Sequence, residues 1–288
     1  SIVVPMAGMG QRFTDQGYEI TKPLIPVSGR PMVIQAANDL PSSAAQAFVL
    51  RSDMIGNEDV SVQLRDCYPD ATIKTIDCVT DGQAITALIG LKALGELSEL
   101  AAPITIAACD NGALYKIDNF NKLLEDTEVD VLVWGVRGYA NAIRKPEMFG
   151  WIDVDVDALI NKISVKSPLN NPSTDPIVLG TFTFKRGKDF TDSLERLIAR
   201  NGQVNGEFYI DSLINDAIDS GLRCKLFEVD SYLCWGTPDD LKTFEYWQSC
   251  FHKWASHPYR LERDTRVPRE AVSAIDNKYK VFMNESDD

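Results

Sequence analysis

The sequence predicts an α/β fold with a largely parallel central sheet, and two patterns support this prediction. Through the first half of the chain, short and almost wholly apolar runs alternate with segments of helical periodicity. Such runs are typical of parallel strands that are buried on both faces. The pattern changes after about residue 145, where the strictly alternating run 151–156 predicts a half-exposed strand in an antiparallel hairpin.

The individual elements follow from these patterns in chain order. Apolar runs predict strands at Ile2–Met6, Gln46–Arg51, Thr72–Asp77, Ile104–Cys109, Val129–Val136, Ile177–Phe184 and Arg223–Val229. Helical periodicity predicts helices at Pro31–Leu40, Asn57–Asp66, Gln83–Leu97, Ile117–Glu125, Asp189–Arg200 and Phe208–Ser220. A further helix is predicted to begin at Pro238, because proline suits the first helical turn, with Asp239 and Asp240 charging its N-terminus.

The composition restricts the classes of function. A net charge of -13 argues against a general nucleic-acid binder, which would normally carry a basic face. No apolar stretch approaches the roughly 20 residues that span a bilayer, and the N-terminus lacks the pattern of a signal peptide. The six cysteines are scattered and never spaced as C-x-x-C, so we expect a cytoplasmic location. Because the chain has only two histidines, His252 and His257, we expect chemistry that does not depend on histidine.

A glycine-rich loop, Ala7–Arg12, follows the first predicted strand. Gly8 and Gly10 allow the backbone to turn sharply and direct its N–H groups at an anion. A dinucleotide site would need a third glycine at Phe13 and an acidic residue where Arg51 ends the second strand. A P-loop would need Gly-Lys-Ser/Thr, which is absent. The loop by itself is therefore either an anion site or an ordinary glycine turn.

The segment Thr21–Val27 gives the loop a more specific meaning. Its lysine, Lys22, stands before Pro23 and ten residues after Arg12, so two cations accompany one loop. Arg12 can bind phosphate oxygens with its forked guanidinium, and Lys22 can act as a point charge on a reacting phosphate. Gly-x-Gly-x-Arg followed by Lys-Pro-Leu-Ile-Pro-Val resembles the signature of the sugar-1-phosphate nucleotidylyltransferases, the pyrophosphorylase family. The match extends in pieces from Ile2 to about Trp247.

The resemblance implies a Rossmann-like, GT-A-type nucleotidyltransferase fold, with helices on both faces of the sheet and a small antiparallel acceptor-binding subregion. It implies a domain of residues 1–255, with an NTP-binding half of about residues 1–140 and an acceptor-binding half of about 141–255. The polar sequence after His257 suggests a tail or linker over residues 256–288. Assembly into a homo-oligomer stays open.

In this family the loop holds the nucleoside triphosphate and its arginine orients the pyrophosphate. The lysine stabilises charge while an acceptor phosphate attacks the α-phosphorus. These catalytic roles carry over to Arg12 and Lys22. Binding of the triphosphate carries over to Met6, Ala7, Gly8 and Gly10.

A carboxylate, Asp110, follows the apolar strand Ile104–Cys109 and can enter the crevice where α/β sheets bind ligands. An ordinary Asp-Asn-Gly turn is the alternative. Because the family has a magnesium-binding aspartate here, the resemblance implies Mg²⁺ as cofactor and Asp110 as its ligand. The family's second metal aspartate is replaced by Cys234, which leaves Asp230, phosphate oxygens or water to complete the shell.

The resemblance also implies residues for the base and for the acceptor. A turn at Asp81, Gly82 and Gln83 would meet the base edge, although Asp81 could instead cap a helix, and the choice among CTP, dTTP, UTP and GTP stays open. Val165 replaces the glutamate that commonly binds sugar hydroxyls, which suggests an acceptor other than an ordinary hexose phosphate. The implied acceptor-binding residues are Gly150, Lys166, Gly180, Glu207 and Asp211.

The segment Glu207–Asp211, followed by Asn215, resembles an element of a branch linked to capsule and surface-polysaccharide synthesis, some of whose members load CMP onto non-sugar phosphates. Glu207 and Asp211 are predicted on one face of a helix, where a solvated helical start is the alternative. The sequence therefore predicts a magnesium-dependent nucleotidyltransferase that acts on a nucleoside triphosphate and a phosphorylated acceptor. A GT-A glycosyltransferase that uses a nucleotide-sugar and a catalytically weak regulatory or binding homologue are the alternatives.

Overall fold

The computed structural model describes residues 1–95 and 102–284, with side chains up to Tyr279. The described chain forms two compact units, each assembled from segments that are distant in sequence. Of the described residues, unit 1 contains those within 1–9, 41–108 and 113–232, and unit 2 contains those within 10–40, 109–112 and 233–288. The predicted division at residue 255 stays a prediction.

The described strands and helices are mostly short, as is usual for an α/β fold. The strands are β1 (Ile2–Pro5), β2 (Pro26–Val27), β3 (Arg30–Pro31), β4 (Gln46–Arg51), β5 (Thr72–Ile76), β6 (Ile104–Ile106), β7 (Asn111–Leu114), β8 (Val131–Val136), β9 (Gly150–Val154), β10 (Ile160–Val165), β11 (Ile177–Phe184), β12 (Cys224–Glu228) and β13 (Ser231–Cys234). The helices are α1 (Gln11–Thr14), α2 (Met32–Asn38), α3 (Asn57–Cys67), α4 (Gln83–Ala93), α5 (Ile117–Glu125), α6 (Ala140–Arg144), α7 (Gly187–Ala199), α8 (Ile210–Asp219), α9 (Pro238–Lys253) and α10 (Val272–Asn284).

A mixed sheet of nine described strands lies at the centre of unit 1. Strands β5, β4, β1 and β6 run parallel to one another, and β8 and β12 form a second parallel pair. The long strand β11 is antiparallel to both β6 and β8 and joins the two sets. The predicted largely parallel sheet and the predicted antiparallel hairpin, now β9 and β10, are therefore both confirmed.

Strands β1, β4, β5 and β6 run parallel because helices connect them in sequence. Helix α4 links β5 to β6 and packs on β1, where Gly90 lies so close that a Cβ would come within 2.5 Å of the Val3 side chain. The central strands bury Val3, Phe48, Ile106 and Phe182 almost completely, as the apolar runs predicted. Among the described residues, no helix combines the length and the apolar character needed to cross a bilayer.

Unit 2 has its own apolar core. The buried residues Phe13, Ile25, Met32, Trp235 and Leu241 pack together there. Two-residue strands β2 and β3 close a tight hairpin at Ser28 and Gly29, both of which have positive φ.

The structure differs from one local expectation, excludes one alternative and leaves one predicted boundary outside the described residues. The chain after His257, where the polar sequence suggested a tail or linker, forms short 3-10 helices and α10, and it buries Leu261, Val267, Ile275 and Tyr279 in a common cluster. Residues 111–112 form the start of β7 and are buried instead of making a turn. The predicted helix end at Leu97 lies outside the described residues, within which α4 ends at Ala93.

Candidate active site

A lysine–carboxylate pair lies in unit 2 and consists of Lys22 and Asp110, both of which were predicted as site residues from the sequence. Lys22 Nζ donates to Asp110 Oδ2 at 2.5 Å and lies 3.4 Å from the carbonyl oxygen of Gly236. The Lys22 and Asp110 side chains are only 21% and 24% exposed. The structure thus brings together two of the three predicted catalytic residues, although they are 88 positions apart in sequence.

The electrostatics of the pair keep both groups charged. Burial opposes the charge on Lys22, but the Asp110 carboxylate outweighs it and raises the pKa of the lysine. Burial likewise opposes the charge on Asp110, but the ammonium group of Lys22 outweighs it and lowers the pKa of the carboxyl. A buried pair of this kind is costly to break by removing one partner, because the other charge is then left alone.

The local fold holds Lys22 in position. Lys22 begins a one-turn 3-10 helix whose second residue, Pro23, is buried and has a fixed φ. Gly10 adopts a left-handed φ of 65°, and a Cβ on it would come within 3.4 Å of the Lys22 Cβ, so the loop passes close beside the lysine. The ammonium group also lies 5.7 Å from the centre of the buried Phe13 ring.

Cys234, Trp235 and Gly236 form the other side of this cluster. The Trp235 N–H donates to the Asp110 carbonyl at 2.9 Å, which fixes the backbone next to the carboxylate. A Cβ built on Gly236 would lie 3.2 Å from Asp110 Oδ2 and 3.7 Å from the sulfur of Cys234. The thiol and the carboxylate therefore both border the space left by the glycine.

The ligands available at Asp110 meet only part of what magnesium requires. Mg²⁺ prefers several oxygen ligands and is commonly held by one or two carboxylates together with substrate phosphates. Among the described residues, no group of three or more histidine, cysteine, aspartate or glutamate side chains could hold a metal. Asp230 is exposed, and its N–H donates to Leu114, whereas the residue bonded to the Asp110 backbone is Trp235. Asp110 is therefore suited to bind a metal ion most of whose ligands come from substrate phosphates and water.

The remaining loop residues have different environments. In unit 1, Met6 and Ala7 are buried and Gly8 is exposed, with open space around its Cα. The Ala7 carbonyl accepts a hydrogen bond from Arg51 Nη1 at 3.0 Å. In unit 2, Arg12 is exposed on α1.

From sequence, Arg51 indicates only that a dinucleotide site is absent. The structure shows it 6% exposed, paired with Asp53 at 2.6 Å and bonded to the loop. An arginine at the end of an otherwise apolar strand is the signal by which the sequence could have identified this contact.

The predicted base turn is built on the backbone of Phe208. The Phe208 N–H donates to the Asp81 carbonyl at 2.7 Å, and the Ala84 N–H donates to the Phe208 carbonyl at 3.1 Å. Gly82 has a φ of 126°, and a Cβ there would come within 2.5 Å of the Phe208 nitrogen. Gly82, not Asp81, is the N-cap of α4 and provides no side-chain cap, so the alternative in which Asp81 caps the helix is excluded. Sequence reasoning gave no role to Phe208.

The first turn of α8 carries a buried carboxylate, Asp211. Its Oδ2 would lie 2.3 Å from a Cβ on Gly150, so the absence of a side chain at Gly150 makes room for it. Burial raises the pKa of Asp211 to about 6, and the charge of Lys166 only partly offsets this. Lys166 Nζ donates to the Met148 carbonyl at 2.8 Å and lies 5.9 Å from the Tyr209 ring centre. These predicted acceptor residues thus lie together within unit 1.

Two other predicted acceptor residues lie elsewhere in unit 1. Glu207 is exposed and precedes α8, in a tight turn closed by mutual backbone bonds with Val204, with Asn205 and Gly206 both left-handed. The predicted helical spacing of Glu207 and Asp211 was therefore wrong, because α8 begins at Ile210. Gly180, with a φ of 85°, lies inside β11 at an irregularity in its pairing with β8.

Several solved structures share this fold. The chain superposes on a nucleoside-diphosphate-sugar pyrophosphorylase from Vibrio cholerae RC9 with a TM-score of 0.67 and 21% identity, over 85% of this chain and 99% of that chain. An inositol-1-phosphate CTP transferase from T. maritima gives a TM-score of 0.63 and 15% identity, over 85% and 92% of the two chains.

A protein described as a glucose-1-phosphate thymidylyltransferase from Bacillus anthracis, solved with sucrose, gives a TM-score of 0.62 and 17% identity, over 84% and 92%. No protein-family model and no curated protein matches the sequence. At these identities the likeness shows the fold: a Rossmann-like mixed α/β fold shared with pyrophosphorylases and related nucleotidyltransferases.

Proposed function

We propose that this chain is a nucleotidyltransferase that transfers a nucleoside monophosphate from a nucleoside triphosphate to a small phosphorylated acceptor and releases pyrophosphate. The observation that carries the proposal is the Lys22–Asp110 pair, in a fold that nucleotidyltransferases share. This pair matches in residue type the lysine and the aspartate that the resemblance assigns to the reaction. Partly buried charges of opposite sign suit a reaction that depends on charge neutralisation more than on a covalent intermediate.

In the proposed reaction, an oxygen of the acceptor phosphate attacks the α-phosphorus. The bond from that phosphorus to the oxygen bridging to the β-phosphate breaks, and pyrophosphate leaves with the bonding electrons. The ammonium group of Lys22 leaves Asp110 and binds the phosphate oxygens on which negative charge accumulates. Arg12 binds the departing pyrophosphate. Magnesium, held by Asp110 and phosphate oxygens, would supply further neutralisation of the triphosphate.

The base and the acceptor are assigned to unit 1. Gln83 begins α4 next to the turn that Phe208 supports, so its amide can present both a donor and an acceptor to a base edge. Gly150, Lys166 and Asp211 would bind the acceptor, Lys166 through its phosphate and Asp211 through a hydrogen-bond donor.

The proposed acceptor is a phosphate other than an ordinary hexose phosphate, with CTP as the favoured nucleotide. Val165 lacks the oxygen that would bind sugar hydroxyls. One neighbour in fold is named an inositol-1-phosphate CTP transferase, which supports CTP and a polyol phosphate as a combination compatible with this fold. The resemblance of the segment Glu207–Asp211 supports a role in capsule or surface-polysaccharide synthesis, in the cytoplasm.

The experiment that tests the function measures pyrophosphate release. The purified chain is incubated with Mg²⁺, each of CTP, dTTP, UTP and GTP, and a panel of acceptors that includes hexose 1-phosphates, inositol phosphate and small non-sugar phosphates. We expect release with one nucleotide and one acceptor class. Consumption of an intact nucleotide-sugar without pyrophosphate would favour the glycosyltransferase alternative, and binding without turnover of any pair would favour the regulatory homologue.

Replacing Lys22 tests the mechanism within the same assay. Lys22→Met keeps most of the apolar stem but removes the charge, so we expect kcat to fall about 100-fold, which corresponds to about 3 kcal/mol of transition-state stabilisation. Lys92→Met, at an exposed position of α4, serves as the matched control and should keep the wild-type rate. An undiminished rate in Lys22→Met would contradict the proposed mechanism.

A further inference from the structure

The metal-binding capacity of unit 2 differs from that of a site with two carboxylates. Asp110 contributes one carboxylate, and its Oδ2 is already bonded to the Lys22 ammonium group. Cys234 stands in the place where the resemblance expects the second aspartate. Its sulfur and Asp110 Oδ2 lie within 3.7 Å and 3.2 Å of one point, the Cβ position of Gly236.

We propose that the part of the chain that the structure describes has no preformed divalent-metal site, and that the site at Asp110 opens only when a triphosphate takes Lys22 as its own counter-ion. This inference rests on the proposed function for the identity of the triphosphate, but not for the state of the free protein. In the free protein the ammonium group of Lys22 occupies the place beside Asp110 where a metal ion would bind. Because Cys234 stands where a second aspartate is expected, Asp110 is the single carboxylate among the described residues of this cluster.

The charges explain why an ion would not compete with Lys22 in the free protein. A divalent ion would need to displace the ammonium group from Asp110, which would leave a partly buried cation without its carboxylate partner, next to the Gly236 carbonyl and the face of Phe13. It would gain a single anionic oxygen ligand, while Mg²⁺ loses hydration water reluctantly. The sulfur of Cys234 is a soft ligand and poorly suited to magnesium or manganese.

A bound triphosphate reverses this balance. Its oxygens give Lys22 a new anionic partner, so Asp110 is released without leaving the lysine uncompensated. The same oxygens also supply most of the ion's ligands. Nucleotide and metal should therefore each increase the affinity of the other by the same factor, because the coupling is reciprocal.

The test measures binding of Mn²⁺ through the loss of the free-ion electron paramagnetic resonance signal. Without nucleotide, wild type should bind no Mn²⁺ with defined stoichiometry. Cys234→Asp should gain one site and bind the ion at least about tenfold more tightly, since ligand charge largely determines affinity for hard cations. The matched control is Cys67→Asp, which adds a carboxylate at an exposed position of unit 1 and should not change Mn²⁺ binding.

A second variant keeps the test informative if Cys234→Asp does not fold. Lys22→Met removes the competing cation, so it should bind Mn²⁺ more tightly than wild type in the absence of nucleotide. Stoichiometric binding by free wild type as tight as by Cys234→Asp would overturn the proposal, and so would unchanged binding in a folded Cys234→Asp.

The nucleotide arm separates this inference from the proposed function. With the α,β-methylene analogues of CTP, dTTP, UTP and GTP, wild type should bind Mn²⁺ together with one analogue, and that analogue should bind more weakly when Mn²⁺ is omitted. If no analogue binds, the proposed function fails, while the measurements on free protein still decide whether the metal site is preformed.

Discussion

At the scale of single residues, charged site residues were easier to predict from sequence than the contacts between them and their neighbours. Lys22 and Asp110 could be singled out because prolines and an apolar strand mark their places, and the structure pairs them. Gly236 could not be found in this way, because its role is to leave space beside Asp110. Gly150 and Asp211 were both singled out by the resemblance, but their contact could not be predicted, because it depends on two elements meeting.

The buried carboxylate of Asp211 leads to a prediction about pH and stability. Its pKa is raised from an ordinary value of 3.8 to about 6, chiefly by burial, so the folded protein binds this proton more tightly than the unfolded chain. The contribution of Asp211 to stability therefore falls as pH rises from about 4 to about 6 and stays unfavourable above that range. Asp211→Asn should have a higher Tm than wild type at pH 7.5 and should approach it below pH 4.

The same variant separates stability from function. If Asp211 binds a donor of the acceptor, Asp211→Asn should raise KM for the acceptor while KM for the nucleotide changes little. Asp153→Asn, on the exposed side of β9, is the matched control and should leave both Tm and KM unchanged. A Tm for Asp211→Asn below that of wild type at pH 7.5, in a folded protein, would show that the charge is favourable in place.

At the scale of elements, boundaries agree with the predictions where the local pattern is strong. The bounds of β4, α5 and β11 are as predicted, because apolar runs and an amphipathic repeat define them without help from distant contacts. Strand β7 was not predicted, since Asn-Gly favours turns locally and only pairing with β13 makes the segment extended. The start of α8 was predicted two residues early, because the bonds between Phe208 and the turn at Gly82 are not local.

The turn at Gly82 gives a prediction at this scale. Gly82→Ala would combine a positive φ with a Cβ 2.5 Å from the Phe208 nitrogen, and backbone cannot move aside as a side chain can. We expect the free energy of unfolding to fall by about 1–3 kcal/mol and the affinity for the nucleotide to fall with it. Gly17→Ala, also at a positive φ but with open space around it, measures the strain of φ alone.

Measurements of chemical denaturation and of nucleotide binding together test this prediction. Chemical denaturation of both variants gives the difference that the collision with Phe208 causes, and calorimetric titration with the nucleotide shows whether the turn contributes to binding. Equal effects of Gly82→Ala and Gly17→Ala on both measurements would mean that Phe208 does not constrain the turn.

At the scale of the whole molecule, the order of segments along the chain does not indicate which of them belong to the same compact unit. Unit 2 is assembled from three separate segments, and the last of them contains the residues that the sequence analysis assigned to a tail. A signal was present, since Val272, Ile275 and Tyr279 follow helical spacing, but the polar composition of the segment outweighed it. Their burial became evident only from packing with Leu261 and Val267.

Hydrogen bonds tie this C-terminal segment to the rest of unit 2. Tyr259 and Tyr279 both bond the Gln248 side chain, which also bonds Ser28 in the β2–β3 turn. Arg266 pairs with the buried carboxylate of Asp39 at 3.0 Å. A Cβ on Gly29 would come within 2.4 Å of the Ala271 side chain, so the β2–β3 turn and the segment are closely packed.

Removing residues 258–288 should therefore destabilise unit 2 as a whole. Four well-buried apolar side chains would be lost, each worth about 1.5–3 kcal/mol, and the sum is comparable with the total stability of a typical domain. Hydrogen exchange should accelerate at residues 10–40 and 233–253, whereas the strands β1, β4 and β6 of unit 1 should keep their protection. The lysine-dependent activity should disappear, because Lys22 belongs to the unit that loses its core.

A milder pair of variants checks the same argument without removing the segment. Ile275→Ala empties a position that is 9% exposed and should cost about 2–5 kcal/mol, whereas Ile198→Ala, at a position of α7 that is 43% exposed, should cost far less. Because the Ile275 side chain lies against Gly29, which follows the 3-10 helix Lys22–Leu24 closely in sequence, local loosening should reach the segment that holds Lys22. If exchange at residues 22–29 is unchanged in Ile275→Ala, the C-terminal segment stabilises only itself, and its packing does not contribute to positioning the lysine.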